Sequence, residues 1–209
     1  MVAPGGRLVA RDLAADPLAV ARVLLGAHLV VGEVTLRLTE VEAYWGEIDP
    51  GSHGYRGMTP RTEVMFGPPG HVYVYRSYGI HWCANIVCGT KGECAAVLLR
   101  AGEVVAGEEV AMARRPGAAV RDLARGPGRL TKALGLDGDD NGASLVGAGA
   151  PFVLRAPREP VPHELIRTGP RVGVSGPGGD AETFPWRFWI DGDPTVSVYR
   201  PGRARVRRG

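Results

Sequence analysis

The chain has 209 residues, 44% of them apolar, which is enough for one domain with a sizeable core. Its 31 glycines and 17 prolines favour many turns and short elements over a helical bundle. The net charge is +3, and 23 of the 25 basic residues are arginines because only Lys91 and Lys132 are lysines. Arginine makes bidentate phosphate contacts, so the charge permits nucleic-acid binding. A GC-rich coding bias is the larger cause of the arginine excess, and the charge alone does not demonstrate binding.

Several function classes are disfavoured. Cys83, Cys88 and Cys94 are odd in number, lack CxxC spacing and have no His pair nearby, which predicts a reduced intracellular protein without a cysteine metal site. No signal peptide or membrane-length apolar stretch is expected. The sequence has no Walker loop, dinucleotide fingerprint or G-x-S-x-G motif.

The first part of the chain predicts one short helix and two strands. Asp16 and Pro17 form a helix start, and Gly26 is placed to end that helix. Strands are predicted over 27–31 and 34–43, joined by a tight turn at Gly32-Glu33. A long Gly/Pro-rich connection over 45–69 follows, and loops of this length are usually functional or disordered.

The rest of the chain predicts short mixed elements. Residues 71–77 and 82–87 are predicted to form a hairpin with a turn at Tyr78-Gly79, and in its first strand Val72 and Val74 share one face while Tyr73 and Tyr75 share the other. Further strands are predicted over 95–100, 152–155, 171–174, 187–190 and 196–199, and helices over 107–115, 118–124 and 130–134. Many short strands with few βαβ spacings indicate the α+β class. Residues 1–200 are expected to form one domain, with 201–209 as a basic, disordered tail.

One strand carries an unusual pattern. Val34, Leu36 and Leu38 alternate with polar residues, and continuing the alternation places Glu40 and Glu42 on the aliphatic face. Two carboxylates on an apolar face indicate a site. Equally, the strand ends or bulges at Leu38 and both glutamates are solvated.

The residues around this strand suit a planar ligand. Tyrosines and histidines are frequent between residues 44 and 81, and aromatic stacking contributes about 1–3 kcal/mol per base. A carboxylate in a partly apolar pocket can activate water and stabilise an oxocarbenium-like transition state. A nucleobase glycosylase is coherent with this chemistry, but the residues alone do not favour it over other carboxylate hydrolases.

Two blocks carry a resemblance to a known family. The first is Glu40-Val41-Glu42-Ala43-Tyr44-Trp45-Gly46, and the second is Tyr73-Val74-Tyr75 with Tyr78-Gly79. Supporting matches include His53, Thr59-Pro60-Arg61, Asn85-Ile86, Leu98 to Ala101, Gly126-Pro127 and Arg171 to Val174, and the last lie near Trp186-Arg187-Phe188 and Val196-Ser197-Val198. In this order, over nearly the whole chain, they resemble the alkyladenine (3-methyladenine) DNA glycosylase family. The resemblance implies a single α+β domain with a curved, mostly antiparallel, partly barrel-like sheet, peripheral helices and a protruding β-hairpin.

The resemblance also implies the catalytic roles. Glu42 would be the base that activates water for attack on C1′ of a flipped nucleotide. Arg100 and the backbone carbonyl of Val172 would help to position that water. No cofactor or metal is implied, and the absence of a lysine near Glu42 in the sequence agrees with a monofunctional enzyme without strand cleavage.

The remaining implied roles concern DNA. Tyr44, His53 and Tyr75 would sandwich the extruded base, the His53 backbone amide would contact its purine edge, and Asn85 would crowd the exocyclic amine of guanine. Tyr78 would fill the gap in the duplex, although without the resemblance a tip tyrosine folded back on the sheet is the safer interpretation. Weaker candidates for contacts with the DNA backbone are Thr59, Arg61, His81 and Arg129.

The resemblance implies that the protein is a monomer and that its partner is duplex DNA containing damaged purines. No membrane binding is expected. The location would be cytoplasmic and nucleoid-associated in a bacterium, or nuclear in a eukaryote.

Three residues beside Tyr78 depart from those associated with the family, namely Ser77, Ile80 and His81. These departures affect the expected contacts with the DNA groove. Glu40 is assigned a structural role and Tyr73 a place in the core. The alternatives are a catalytically idle DNA- or RNA-binding module and, more weakly, a hydrolase of free nucleosides.

Overall fold

The computed structural model describes residues 2–202, so most of the predicted basic tail lies outside the described residues. The strands are β1 (His28–Val31), β2 (Val34–Trp45), β3 (Val72–Ser77), β4 (His81–Val87), β5 (Ala95–Ala106), β6 (Phe152–Arg155), β7 (Ile166–Gly169) and β8 (Arg187–Ile190). The helices are α1 (Ala10–Leu13), α2 (Pro17–Leu24), α3 (Glu108–Arg114) and α4 (Pro127–Leu134). This content confirms the α+β class.

All eight strands belong to one antiparallel sheet. Its main order is β3-β4-β5-β2-β1-β6, and β8 also pairs with β2 and carries β7 beside it. Strand β2 is therefore central: β5 runs along one edge, while β1 and then β8 occupy the other. The sheet does not close into a complete barrel.

Local sequence explains both ends of helix α2. The Asp16 carboxylate accepts hydrogen bonds from the amides of Leu18 and Ala19, and Pro17 occupies the first helical position. Gly26 follows the helix with a φ of 76°, a left-handed conformation that glycine adopts without strain. Both predicted ends of this helix are confirmed.

Of the two alternatives for β2 beyond Leu38, continued alternation is wrong and the bulge is confirmed, but both glutamates are buried rather than solvated. Val34, Leu36 and Leu38 lie in the main core, but the next core residues of this strand are Val41 and Ala43. The register with β5 shifts on both sides of Glu40, which inserts one extra residue into each strand. A one-residue slip moves later side chains to the other face. Glu42 therefore lies on the face opposite the three aliphatics.

The two faces of the sheet have different environments. The main core includes Leu24 of α2, Leu130 of α4, and Val72 and Val74 of β3. On the opposite face a smaller cluster contains Tyr73, Val87, Cys94, Ala96 and Met65, with Tyr75 packed against it. The predicted split of the β3 valines and tyrosines between faces is confirmed, as is the core position of Tyr73.

Some predicted elements are absent. The helix expected over 118–124 is reduced to a single 3₁₀ turn at Val120–Asp122, and the strands expected over 171–174 and 196–199 are irregular. In both irregular segments a backbone amide donates to a carboxylate of β2 rather than to a neighbouring strand. Val172 donates to Glu42 at 2.7 Å, and Ser197 donates to Glu40 at 2.7 Å.

Helix length is also informative. Between residues 2 and 202, none of the helices is both long enough and apolar enough to cross a lipid bilayer.

Candidate active site

Glu42 lies at the centre of the sheet face that carries the smaller cluster. Its register partners are Leu98 on β5 and Arg187 on β8, and its side chain has no exposed surface. Oε2 accepts a hydrogen bond of 2.9 Å from the Tyr44 hydroxyl, and Oε1 accepts the 2.7 Å bond from the Val172 amide. Both oxygens are therefore oriented by fixed donors.

Val172 contacts Glu42 through its N–H group, whereas the resemblance implied a role for its carbonyl. The preceding residue, Arg171, anchors this stretch of chain. Its guanidinium binds Asp49 and also donates to the carbonyl of Ala43 at 2.9 Å. Arg171 lies 4.5 Å from the centre of the Tyr44 ring, so it supports both donors of Glu42.

Arg100 is buried between Glu40 and Glu42. Its Nε is 3.0 Å from Oε1 of Glu40 and 3.5 Å from Oε1 of Glu42. Burial opposes the charge of Arg100, but the two carboxylates outweigh that effect and hold its pKa above the usual value. The structure thus brings Arg100 beside Glu42, as expected.

Glu40 has a dense set of partners. Besides Arg100, it accepts hydrogen bonds from Arg187 Nε at 2.7 Å and from Ser197, through its amide at 2.7 Å and its hydroxyl at 3.0 Å. It joins β2, β5 and β8 to the segment at Ser197, which is consistent with its assigned structural role.

Asn85 and Glu42 belong to one row of residues across the sheet. Tyr73, Asn85, Leu98 and Glu42 are successive register partners on β3, β4, β5 and β2. Two strand spacings separate Asn85 from Glu42, or about 10 Å between their backbones. The Asn85 amide donates to the carbonyl of Tyr73 at 3.0 Å, which fixes its orientation. This row forms a floor with the Glu42 carboxylate at one end, Tyr73 at the other and the Asn85 amide between them.

Aromatic side chains border this floor. The rings of Tyr73 and Tyr75 stack with centroids 5.5 Å apart, and the His53 ring meets Tyr75 edge-on at 4.6 Å. His53 Nδ1 is 3.2 Å from the Tyr73 hydroxyl. His53 is exposed at the surface, yet the enclosure of its inner side and, secondarily, the charge of Arg61 lower its pKa. A neutral imidazole at pH 7 follows.

The hydroxyls of Tyr44 and Tyr75 remain protonated. Burial, followed by the charge of Glu42, raises the pKa of Tyr44 well above its usual value. Burial also raises the pKa of Tyr75, with a further contribution from Cys83 beside it. Tyr44 can therefore act as a hydrogen-bond donor to Glu42 throughout the physiological range.

Tyr78 stands at the tip of the β3–β4 hairpin. It is 88% exposed, and its neighbour Ile80 is 68% exposed. Among residues 2–202, Tyr78 is also the one non-glycine with a positive φ, at 49°. The alternative in which Tyr78 folds back onto the sheet is therefore wrong. An exposed aromatic held in a strained conformation indicates a functional position.

A basic cavity adjoins the Glu42 site. It has a volume of about 250 Å³, and its arginines are Arg100, Arg125, Arg129 and Arg200. Val172 and Ser197 also line it, so it borders the partners of both glutamates. Gly126, the residue that precedes α4, contributes to the wall. Arg129 therefore lies among other arginines next to the site.

The other candidates for DNA backbone contacts are more scattered. Thr59 is exposed and its hydroxyl is 3.0 Å from that of Thr62. Arg61 lies 5.7 Å from the centre of the Tyr75 ring, at the edge of the aromatic group. His81 lines a separate groove of about 380 Å³ between the hairpin and α4, together with Trp82 and Lys132.

Sequence reasoning missed several residues that hold the site together, namely Arg171, Asp49, Arg187 and Ser197. Their contacts join positions more than 100 residues apart, which no local pattern indicates. The signals available were the matches at Arg171 to Val174, Trp186-Arg187-Phe188 and Val196-Ser197-Val198 in the resemblance. Within the described chain, His, Cys, Asp and Glu side chains form no group of three or more suited to a metal ion.

Comparison with known proteins defines the class. The sequence model of the family described as methylpurine-DNA glycosylase (MPG) matches residues 11–194. A Streptomyces avermitilis protein named "Putative 3-methyladenine DNA glycosylase" is 51% identical, with 100% of this chain and 99% of that protein covered. Proteins of the same name from Frankia casuarinae and Mycobacterium tuberculosis are 52% and 47% identical, covering 89% and 96% of this chain and 90% and 98% of their own lengths.

The match spans most of the chain, and the relatives align over nearly their full lengths. The chain belongs to the methylpurine-DNA glycosylase family.

Proposed function

We propose that this protein is a DNA repair glycosylase that flips an alkylated or deaminated purine out of duplex DNA and hydrolyses its N-glycosidic bond. The observation that carries the proposal is Glu42, a buried carboxylate oriented by two donors at the end of an aromatic-bordered floor. Family membership and the names of the relatives support DNA glycosylase activity.

The chemistry requires one water molecule. Glu42 takes a proton from water as the water oxygen bonds to C1′ of the flipped deoxynucleotide. The bond between C1′ and the base nitrogen breaks, and its electron pair leaves with the base. The carboxylate also stabilises the positive charge that develops on the sugar. Arg100 and the Val172 carbonyl are the groups we assign to positioning this water.

The aromatic border supplies the base site. Tyr44 on one side, with Tyr75 and His53 on the other, would hold the purine by stacking. The backbone amide of His53 has no intramolecular acceptor within residues 2–202, which leaves it available for the purine edge. Asn85, fixed by its bond to Tyr73, would crowd an exocyclic amine at the position where guanine carries one.

The hairpin tip supplies the wedge. Tyr78 projects 88% of its surface into solvent, and an inserted side chain offsets the few kcal/mol of unstacking when a base leaves the helix. Thr59, Arg61, His81 and Arg129 are assigned to the phosphate backbone, Arg129 through the basic cavity. The substrate is therefore duplex DNA with a damaged purine, bound by a single domain acting as a monomer.

The second candidate is a catalytically idle nucleic-acid-binding module on the same scaffold. Such a module would use Tyr78 and the arginines, but binding would not need the buried Glu42–Arg100 pair. A hydrolase of free nucleosides would not need the exposed Tyr78. The combination of both features favours the repair enzyme.

Base release from defined duplexes tests the proposal. Duplexes that each carry one lesion (3-methyladenine, 7-methylguanine, hypoxanthine or ethenoadenine) are incubated with the protein, and the released base is identified by mass spectrometry. We expect a free base and an abasic strand that breaks only after alkali, since no lysine is among the residues that contact Glu42 in the described chain. Tight lesion binding without any base release would favour the idle module.

A further inference from the structure

Glu40 and Glu42 compete for the same arginine. Both carboxylates are fully buried, and Arg100 Nε lies 0.5 Å closer to Glu40 than to Glu42, at 3.0 and 3.5 Å. Only the contact with Glu40 has hydrogen-bond geometry. The cation therefore pairs with the glutamate to which the proposed reaction gives no role.

The paired bulges in β2 and β5 create this arrangement. Glu40 is opposite Ala101 and Val41 is opposite Leu99, so Arg100 is the extra residue of β5. The bulge aims the Arg100 side chain at the same face as both glutamates, although it has no partner in the ladder. A regular sheet would not place one arginine between two carboxylates of a single strand.

Glu40 is held in place independently of Arg100. Arg187 and Ser197 supply three further hydrogen bonds to it, two of them 2.7 Å long. These donors fix the Glu40 carboxylate where it attracts Arg100. Arg100 Nη2 in turn donates to the Ser197 hydroxyl at 3.2 Å, which holds the far end of the guanidinium on the Glu40 side.

We propose that Glu40 is a positioning residue that keeps Arg100 from pairing fully with Glu42 and so preserves the strength of Glu42 as a base. The inference rests on the proposed function of Glu42. A carboxylate in a close, hydrogen-bonded ion pair with arginine is a weak base, because a positive charge at that distance stabilises the deprotonated form. Arg100 at 3.5 Å can still position water and balance charge without occupying the carboxylate.

Other groups also act on Glu42, and the negative charge of Glu40 itself strengthens Glu42 as a base in the same direction as its hold on Arg100. Those that face it or lie close to it are Tyr44 on β2, Arg100 on β5, Arg187 on β8, Tyr75 on β3, Cys83 on β4, and Arg171 with the Val172 amide. Arg171 is bound bidentately to Asp49, and Arg187 is bound to Glu40. Arg100 is the cation within direct reach of both glutamates.

The pH profile of base release separates this role from a merely structural one. Single-turnover release of hypoxanthine from a duplex is measured with enzyme in excess over about pH 5 to 9. In the Glu40→Gln variant, Arg100 loses its ion pair with Glu40 and keeps Glu42 as the carboxylate with which it can pair. We expect the acidic limb of the profile to move down by about one pH unit and the plateau rate to fall about tenfold.

Conservative and paired variants control for folding. Glu40→Asp retains the charge and should restore most of the wild-type profile. Arg187→Gln leaves Arg100 paired with Glu40 and should not move the acidic limb downward. If Glu40→Gln does not fold, the double variant Glu40→Gln/Arg187→Gln removes one buried charge of each sign and should show the same downward shift.

The outcomes are distinct. A slower Glu40→Gln enzyme whose acidic limb stays in place or moves upward would overturn the positioning role, because loss of packing alone would loosen Arg100 from Glu42. If the wild-type enzyme releases no base from any lesion duplex, the proposed function fails and this inference fails with it. Wild-type release together with an unmoved limb in the variant would overturn only the role of Glu40.

Discussion

Arg171 binds Asp49 through two hydrogen bonds of 2.6 Å, and neither side chain is exposed to solvent. The same guanidinium reaches the carbonyl of Ala43, next to Glu42 in the chain, and lies against the Tyr44 ring. Val172, the next residue after Arg171, donates to Glu42. The ion pair therefore ties together the two groups that orient the proposed base.

Replacing Asp49 by Asn should destabilise the protein strongly. The substitution keeps the side-chain shape but leaves a buried arginine without its counter-charge, which costs about 3–5 kcal/mol. Urea unfolding measures the loss. The matched control is Asp191→Asn, because Asp191 pairs with Arg167 at 2.8 Å on the surface, where both side chains are about half exposed. That pair should contribute less than about 1 kcal/mol, and equal losses in the two variants would contradict the account.

Tyr78→Gly should separate stability from DNA processing. The exposed side chain makes little contribution to packing, and glycine adopts the positive φ without strain, so the unfolding free energy should change by no more than about 1 kcal/mol. The rate of base release from lesion duplexes should fall at least tenfold, because no side chain then offsets the few kcal/mol that unstacking the base costs. Ile80→Ala, at the neighbouring exposed position, should have a smaller effect. A large drop in melting temperature for Tyr78→Gly would show that Tyr78 packs in solution.

Asn85→Ser should relax discrimination against undamaged guanine. The shorter side chain removes the group that would crowd the exocyclic amine and also removes the bond to Tyr73, at a cost of about 1–2 kcal/mol in stability. The quantity to measure is the ratio of guanine to hypoxanthine release, because general damage to the site lowers both rates together. An unchanged ratio would show that Asn85 does not determine the discrimination against guanine.

Regular periodicity predicted the regular parts of the fold. The alternation of Val72 to Tyr75 gave the correct faces of β3, and the Asp16-Pro17 start of α2 was correct, because both depend on neighbours a few residues away. Beyond Leu38 periodicity left continued alternation and a bulge as equal alternatives, because the choice depends on the facing strand. The extra residue there is Arg100 of β5, and the bulge places Glu42 on the face opposite Val34, Leu36 and Leu38.

The irregular C-terminal segments were mispredicted for a similar reason. Val172 and Ser197 lie in stretches with strand-like composition, but their amides bind carboxylates 130 and 157 positions earlier in the sequence. Family resemblance predicted that Glu42 and Arg100 come together, whereas the residues that support them, such as Asp49 and Arg187, required coordinates. The resemblance also favoured an exposed Tyr78, which composition alone opposed.

Arg129→Gln should weaken DNA binding without changing sequence or lesion preference. Arg129 lines the basic cavity, and a contact to one phosphate releases about one counterion, so the slope of log K against log salt should decrease by about 1. Fluorescence anisotropy with an abasic-analogue duplex measures that slope. Arg121→Gln is the control, since its side chain is 67% exposed and outside the cavity. Equal slopes for both variants would exclude Arg129 from the interface.

Glu42→Gln tests the central claim most directly. Glutamine preserves the size of the side chain and keeps an oxygen acceptor for one of the two donors, Tyr44 or Val172, but it cannot take a proton from water. In single-turnover assays, base release should fall by a factor of about 10² or more, while the affinity for a duplex with an abasic-site mimic stays near the wild-type value. Release of hypoxanthine or 3-methyladenine at the wild-type rate by Glu42→Gln would contradict the account.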